Sequence, residues 1–532
     1  MAVLEVDGRA LVIDCGLSFP KHELPGIDLV LPDFQHLRER ADDLEAVVLT
    51  HGHEDHIGAV PYLLREFSVP VYGSPLTLEL LEGKLEEHGV QGRTELRPLE
   101  PGRTVTAGPF TMRFIRVTHS IPDGLAVAVD TAFGTVLHTG DFKLDQTPLD
   151  GRPTDLAALA EEARGGVHLL LSDSTNAEEP GFVPSERTIG PVLHDIVQAA
   201  PRLVVLACFA SHIHRIQQAV NAARANRRLV SILGRSMHQS VAAARRLGHL
   251  DLPEQDVVPI EQLADLDPRN VVVISTGSQG EPLSALSLMA AREHKWVKLQ
   301  QEDTVVLSSS MIPGNEPAIN RVIDGLYRLG ATVFHVPAAP VHVSGHAAAE
   351  ELRFMLNILR PRWFIPIHGE FRHLFHHAEL AREVGMAPER VIVAQDGDLV
   401  EIGEEVRIAG QVPAGMTFVD GIGIGDVGAA VLRDRRKLSA DGVVVVVVGI
   451  DAHRGGVVAG PDLVNRGFVF DETSGDILEA GRQRVMLALE ETAADGVTDQ
   501  TVLTQAIRRA LGRYFYEITQ RKPVIIPVIM EV

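Results

Sequence analysis

The sequence predicts an α/β protein made of a layered α/β domain, an inserted doubly wound domain and a small α+β tail. Three observations lead there. Short β-branched runs alternate with helical patterns at the start, a regular strand–loop–helix rhythm fills the middle, and a strand, two helices and a strand close the chain. At ~150 residues per domain, 532 residues imply roughly two to four such bodies.

In the first part, Ala10–Asp14, Ala46–Thr50, Val69–Tyr72, Thr111–Val117 and Thr135–His138 read as strands. Helical patterns cover Ile57–Phe67 and Leu76–Glu87. From Glu186 to Arg360 the runs Leu203–Ala207, Leu229–Leu233, Val271–Ile274 and Thr304–Leu307 are short enough for buried parallel strands. Each leads into a Ser- or Gly-rich loop, where free backbone N–H groups at a helix start suit phosphate. Trp363–Ile367 reads as a strand returning to the first domain, followed by a turn-rich stretch over 396–426. After a polar linker at 433–441 come the strand Val443–Val448, helices near Ile477–Ala494 and Thr498–Gln520, and the strand Val524–Val532. In the tail, Val485, Leu489, Leu503, Ile507 and Leu511 read as core.

Composition narrows the class. Cys15 and Cys208 are too few for a disulfide framework and fit a reducing compartment. No basic and apolar leader opens the chain, and Val443–Val448, the longest apolar run, falls far short of the ~20 residues of a membrane span. A cytoplasmic, soluble protein without membrane attachment is expected. The charge of −22 repels a polyanion, so a nucleic-acid substrate would need bound cations or a locally basic channel. The clusters Arg224/Arg227/Arg228, Arg245/Arg246, Arg433/Arg435/Arg436/Lys437 and Arg508/Arg509/Arg513 read better as solvated faces.

The chemistry concentrates in Thr50-His51-Gly52-His53-Glu54-Asp55-His56, which follows a buried strand and opens a helix. Crowding three imidazoles and carboxylates there is costly unless a cation compensates them. His51 and His53 can point the same way, while Asp55 and His56 project from the helix start, which supports two metals rather than one. These ligand types suit Zn²⁺ or Mn²⁺. His119, Asp141 and His368, each at a strand end, supply what a dinuclear site still lacks, including a carboxylate able to bridge.

Asp14, the His-x-His-x-Asp-His run, His119 and Asp141 together resemble the metallo-β-lactamase fold. With Asp173, His346 and His368 as its characteristic positions, the inserted domain resembles the β-CASP branch. Ser172–Asn176, Gly277–Pro282, His342–His346, Pro366–Glu370 and Arg521–Val524 are similar to bacterial ribonuclease J, and the match runs from end to end. The resemblance implies an αββα sandwich over 1–185 and 361–432, a β-CASP domain over 186–360 and a C-terminal α+β domain over 442–532. It also implies one metal on His51, His53, His119 and Asp141, and a second on Asp55, His56, Asp141 and His368. Asp14 would orient a ligand from behind. His346, Asp173 and Asp55 would serve catalysis, with His346 stabilising the transition state or protonating the leaving oxygen.

Further implications concern substrate and partners. Ser211 and His212, with His342, Val343, Ser344, Gly345 and His346, would hold the phosphates of RNA carrying a 5′-monophosphate. A structural Ca²⁺ or Mn²⁺ would lie near Asp28 and Asp420. The family implies 5′-to-3′ exonuclease and endonuclease action that leaves 5′-phosphate and 3′-hydroxyl ends, in mRNA decay and rRNA maturation. A homodimer or tetramer and membership of an RNA-degradation complex are implied as well. Two departures stand out. The family carries a Gly-rich segment and a first strand ahead of this chain's first residue, and its usual Ser-Asn is Ser211-His212 here. Among rivals, a DNA-processing β-CASP nuclease tends to have an apolar residue in place of His368. A small-molecule hydrolase would not need the inserted domain, and a non-catalytic RNA-binding scaffold would have lost metal ligands.

Overall fold

Period-two burial dictates the layering of the first domain. Along the strand Leu125–Thr131, Leu125, Val127 and Val129 face one core while Ala126 and Ala128 face another. A strand that is apolar on both faces must be covered on both. One cover is a second sheet. The other is a helical layer that includes Leu156–Gly165, Ala349–Leu359 and Phe371–Glu383.

The computed structural model describes residues 1–20, 24–312, 314–451, 456–468 and 471–532. Its six-stranded sheet runs Trp363–Ile367, Val167–Asp173, Gly134–His138, Leu125–Thr131, Phe110–Arg116, Thr104–Ala107. Facing it is a five-stranded sheet of Ala2–Val6, Arg9–Ile13, Leu44–Val48, Val71–Gly73 and Leu96–Pro98, backed by the helix Pro75–Glu87. This is the αββα sandwich. The returning strand Trp363–Ile367 pairs in parallel with Val167–Asp173, placing Ile367 opposite Asp173. His368 and Asp173 therefore emerge side by side.

The inserted domain is a parallel five-stranded sheet in the order Leu229–Leu233, Val271–Ser275, Val204–Ala207, Thr304–Leu307, Thr332–His335. On one face Val204, Leu206, Val272 and Ile274 pack with the helices Ile189–Ala199, Ile213–Ala225 and Arg235–Arg246. On the other, Val205, Val271, Val273 and Val305 pack with Ala285–Ala290 and Glu316–Arg328. The domain is thus doubly wound, with its Ser- and Gly-rich loops at the C-terminal strand ends.

Contacts divide the chain into two compact units, 1–18 with 31–416, and 19–30 with 417–532. In the second unit the strand Val443–Ile450 pairs antiparallel with Val457–Arg466 and parallel with Val524–Glu531. Helices Asp471–Ala494 and Gln500–Thr519 cover one face through Val485, Leu489, Leu503, Ile507 and Leu511, the expected core positions.

Two stretches differ from the expectation. The polar segment 433–441 is no open linker but part of the helix Ala429–Asp441, because Leu432 anchors it against Ile27, Val30 and Val427. The turn-rich stretch 396–426 carries the hairpin Asp398–Ile402 with Val406–Gln411 and the strands Met416–Asp420 and Gly423–Ile424. Among the described residues, no helix is long and apolar enough to cross a membrane.

Candidate metal centre

His119, Asp141 and His368 stand just past strand ends, Asp55 and His56 stand in the short helix Glu54–Ile57, and the chain behind the His-rich turn is clamped. The backbone of Cys15 bonds to both His56 (2.8 Å) and Ala59 (3.0 Å), fastening the second strand's end to the His-rich turn. At Gly16 a Cβ would come within 1.5 Å of the Asp55 carbonyl oxygen, so only glycine permits this approach. Asp14 and His368 both take left-handed backbone, with φ of 58° and 55°. Non-glycine residues pay for that conformation with strain and tend to hold it at functional sites.

The geometry brings seven side chains together. Ligand atoms of His51, His53, His119 and Asp141 lie within 4.8 Å of one another, and so do those of Asp55, His56, Asp141 and His368. Asp141 belongs to both groups, and also to a third with Asp173, His346 and His368. Its Oδ2 is 3.2 Å from His56 Nε2 and 3.3 Å from His368 Nε2 on one side. On the other it is 3.7 Å from His51 Nε2 and 3.8 Å from His119 Nε2.

Whether these residues fit cations is tested by the buried nitrogens. His56 Nδ1 bonds Asp14 Oδ2 at 2.7 Å, which leaves Nε2 pointing into the cluster without a hydrogen-bond partner. Buried polar atoms are nearly always satisfied, so this orphan calls for a ligand. Burial and neighbouring imidazoles hold His51 and His119 well below the ordinary range and His53 at about 4. Neutral imidazole is the form that binds metal. The donor set fits two divalent cations.

Behind the ligands sits a bracing layer. Asp14 accepts from the Thr50 amide and hydroxyl, both at 2.7 Å, as well as facing His56. Asp14 itself belongs to neither ligand group. His119 Nδ1 donates to the Gly345 carbonyl at 2.7 Å, and a Cβ at Gly345 would press on the ring at 2.8 Å. Gly345 thus aims His119. Removing such a brace typically costs ~10–100-fold in metal affinity. The variant Asp14→Ala is therefore expected to lose metal to a competing chelator at correspondingly lower concentration while keeping its far-ultraviolet circular dichroism.

His346 joins the centre from the inserted domain. Its Nδ1 donates to Asp173 Oδ2 at 2.8 Å and lies 3.9 Å from Asp141. Burial pulls this imidazole down, but the Asp173 carboxylate and, behind it, Asp141 and Asp55 raise it to about 9. The other Asp173 oxygen accepts from the Thr175 amide and hydroxyl, so the carboxylate cannot swing away.

The remaining expected residues divide. Ser344 Oγ is engaged by Asn176 Nδ2 at 2.8 Å and by the His346 amide at 3.2 Å, which makes it a brace of the turn. Val343 packs on the inserted domain's core, and Ser211 is half-buried at the start of the Ile213–Ala225 helix. His212 caps that helix, its Nδ1 accepting from the Arg215 amide at 3.3 Å, and is itself buried. His342 Nδ1 is buried without a partner. Asp28 accepts from the Gly421 amide at 2.8 Å, while Asp420 pairs with Arg435. Asp28 and Asp420 thus meet at one turn, but no metal-holding group forms there among the described residues.

Sequence reasoning gave no role to Asn176 or Arg215. Asn176 also donates to the His346 carbonyl at 2.9 Å, tying the two domains together beside the centre. Arg215, fully buried, binds Glu186 Oε1 at 2.8 Å and the Val341 carbonyl at 2.7 Å, supporting the strand end that leads into His342.

Comparison with known proteins decides the family. The metallo-β-lactamase superfamily model matches residues 1–178, the ribonuclease J β-CASP domain 201–326, the Zn-dependent metallo-hydrolase RNA specificity domain 338–394 and the ribonuclease J C-terminal domain 430–532. Ribonuclease J of Mycolicibacterium smegmatis is 46% identical over all of this chain and 95% of its own length. The chain belongs to the ribonuclease J family. Ribonuclease J2 of Bacillus subtilis is 41% identical over 100% of this chain and 96% of its own. Ribonuclease J of Thermus thermophilus is likewise 41% identical, over 100% and 92%. A solved structure, a protein of unknown function from Enterococcus faecalis V583, aligns with a TM-score of 0.50 at 16% identity, covering 74% of this chain and 94% of that one. At that identity it speaks for the fold alone. As a ribonuclease J, the chain is a metal-dependent ribonuclease that binds divalent cations.

Proposed function

We propose that this ribonuclease J cleaves phosphodiester bonds at a two-cation centre in which Asp141 would bridge, both in the 5′-to-3′ direction from RNA ends and internally. The observation that carries it is the membership of Asp141 in both ligand groups. His51, His53 and His119 hold one cation and Asp55, His56 and His368 the other, either Zn²⁺ or Mn²⁺ by donor type. When bound, such a pair supplies water activation near neutral pH and neutralises phosphoryl charge. Asp14 orients His56. Asp173 holds His346 protonated toward the leaving 3′ oxygen, so that the products carry 5′-phosphate and 3′-hydroxyl ends.

In this reading the Ser211–His212 loop and the His342–His346 turn receive a terminal 5′-monophosphate. The enzyme works as a homodimer, or a pair of dimers, in cytoplasmic mRNA decay and rRNA maturation, alone or in a degradation complex. Two free, buried cysteines support a reducing compartment.

The test uses one RNA sequence in four forms: 5′-monophosphate, 5′-triphosphate, circular, and its DNA counterpart. With Mn²⁺ or Zn²⁺, the monophosphate is expected to disappear fastest, the triphosphate more slowly, the circle by internal cuts, and the DNA to remain. Equal rates on the two linear RNAs would remove the terminal-phosphate reading. Cleavage of the DNA at the RNA rate would favour the DNA-processing alternative.

A further inference from the structure

A charge of −22 leaves open how this protein grips a polyanion away from its cations. Some of the arginines in the clusters that stand out in the sequence are paired with carboxylates. Arg224 pairs with Asp251 and Asp256, Arg245 with Glu254, Arg246 with Glu79, and Arg435 with Asp420. The segment 292–301 of the inserted domain behaves differently. Val297 and Leu299 are buried anchors, and the residues between and beside them, Trp296, Lys298 and Gln300, turn outward.

The outward face combines cations with flat aromatic surface. Lys295 Nζ lies 4.2 Å above the Trp296 ring, which stays 39% exposed. Beside it, Arg292, Lys298, Gln300, Gln301 and Leu329 line a depression of about 370 Å³. The Glu316–Arg328 helix ends just before Leu329 of this depression, with Tyr327 53% exposed and Arg328 exposed in its last turn. Among the described residues, none of Arg292, Lys295, Lys298 and Arg328 meets a carboxylate in an ion pair, although the exposed Glu293 and Glu302 border the patch. Unneutralised cations interleaved with exposed rings form a surface for single-stranded nucleic acid, where bases stack and phosphates meet charge.

We propose that this face is a second RNA contact, taking single-stranded RNA whose end is engaged at the metal centre. The patch precedes the strand Thr304–Leu307, whose far end leads into the Ser308–Ser310 loop on the side of Arg215 and Val341. At ~3.3 Å per residue, the strand alone puts about 13 Å between the two ends of the sheet. The patch thus lies at the opposite end of this sheet from the Ser308–Ser310 loop, and RNA that reached both would have to run along the domain surface. The inference rests on RNA being the substrate and adds to it where the body of the chain is held.

The experiment compares holoenzyme with the variants Trp296→Ala and Lys295→Gln/Lys298→Gln. The probes are a long, unstructured, 5′-phosphorylated 2′-O-methyl RNA and a 5′-phosphorylated RNA trinucleotide. Losing one stacking ring should weaken the long probe by roughly tenfold or more. Losing two phosphate contacts should reduce the slope of log affinity against log salt by about 1.4, at ~0.7 per contact. Trinucleotide hydrolysis should stay within twofold of the parent. Unchanged long-probe affinity and salt slope would overturn the proposal and leave the face to a protein partner. Equal losses on both probes would overturn it as well. Failure of the parent holoenzyme to bind the long probe would instead count against the ribonuclease reading.

Discussion

Replacing Asp141 with asparagine is expected to abolish RNA hydrolysis and to loosen both cations at once. Asp141 is the one carboxylate common to the two ligand groups, and it is buried. His56, His368, His51 and His119 all face its Oδ2 at 3.2 to 3.8 Å. An amide keeps the shape but removes the charge that makes two cations tolerable at this spacing. Loss of one electrostatic stabiliser alone typically costs ~10²–10³-fold, and a bridging group should exceed that range. Single-turnover rates and metal content after dialysis check both halves of the expectation. An Asp141→Asn protein with near-parent turnover would show that the two shells do not share this residue.

The second large effect is the converse, a loss of rate without a loss of metal. His346→Ala is expected to lower turnover by about 10²–10⁴-fold, the range of a general acid. Its ring lies near Asp141 and, with Asp173 and His368, in a group close enough to hold an ion, but its Nδ1 bonds Asp173 at 2.8 Å and it belongs to neither of the groups that contain His51 and His56. Metal stoichiometry and the affinity for uncleavable RNA should therefore remain close to the parent's. A variant that lost a cation along with activity would make His346 a ligand instead. Asp173→Asn should fall between the two proteins, because His346 would keep its place but lose the carboxylate that keeps it charged.

Much of this was legible in the sequence, and the reasons are physical. A His-x-His-x-Asp-His run packs so much compensating need into six residues that only a cation explains it, and the structure does gather those side chains with His119, Asp141 and His368. Apolar runs such as Val271–Ser275 announced buried parallel strands because both their faces are covered. What escaped the sequence depends on the third dimension. The strand Leu125–Thr131 hides its pattern behind alternating alanines, which read as helix formers until two cores flank them. The strand Val457–Arg466 is interrupted by Gly460 and Pro461 and gains its register only from Val443–Ile450. Asn176 is far along the chain from Ser344 and Gly345, and their shared work of fixing His346 and His119 becomes visible only when the domains meet.

The departure at His212 shows how context assigns a role. The His212 ring is buried and its Nδ1 serves as a helix cap, while its Nε2 has no hydrogen-bond partner. Asparagine, the usual residue there by resemblance, is also a preferred cap, so the exchange preserves the helix start.

The most direct measurement of the central claim is anomalous diffraction from crystals of the whole protein loaded with Mn²⁺. The account predicts two peaks roughly 3.5–4 Å apart, one among His51, His53 and His119, the other among Asp55, His56 and His368, with Asp141 between them. A single peak, or a pair that leaves Asp141 uncoordinated, would contradict it.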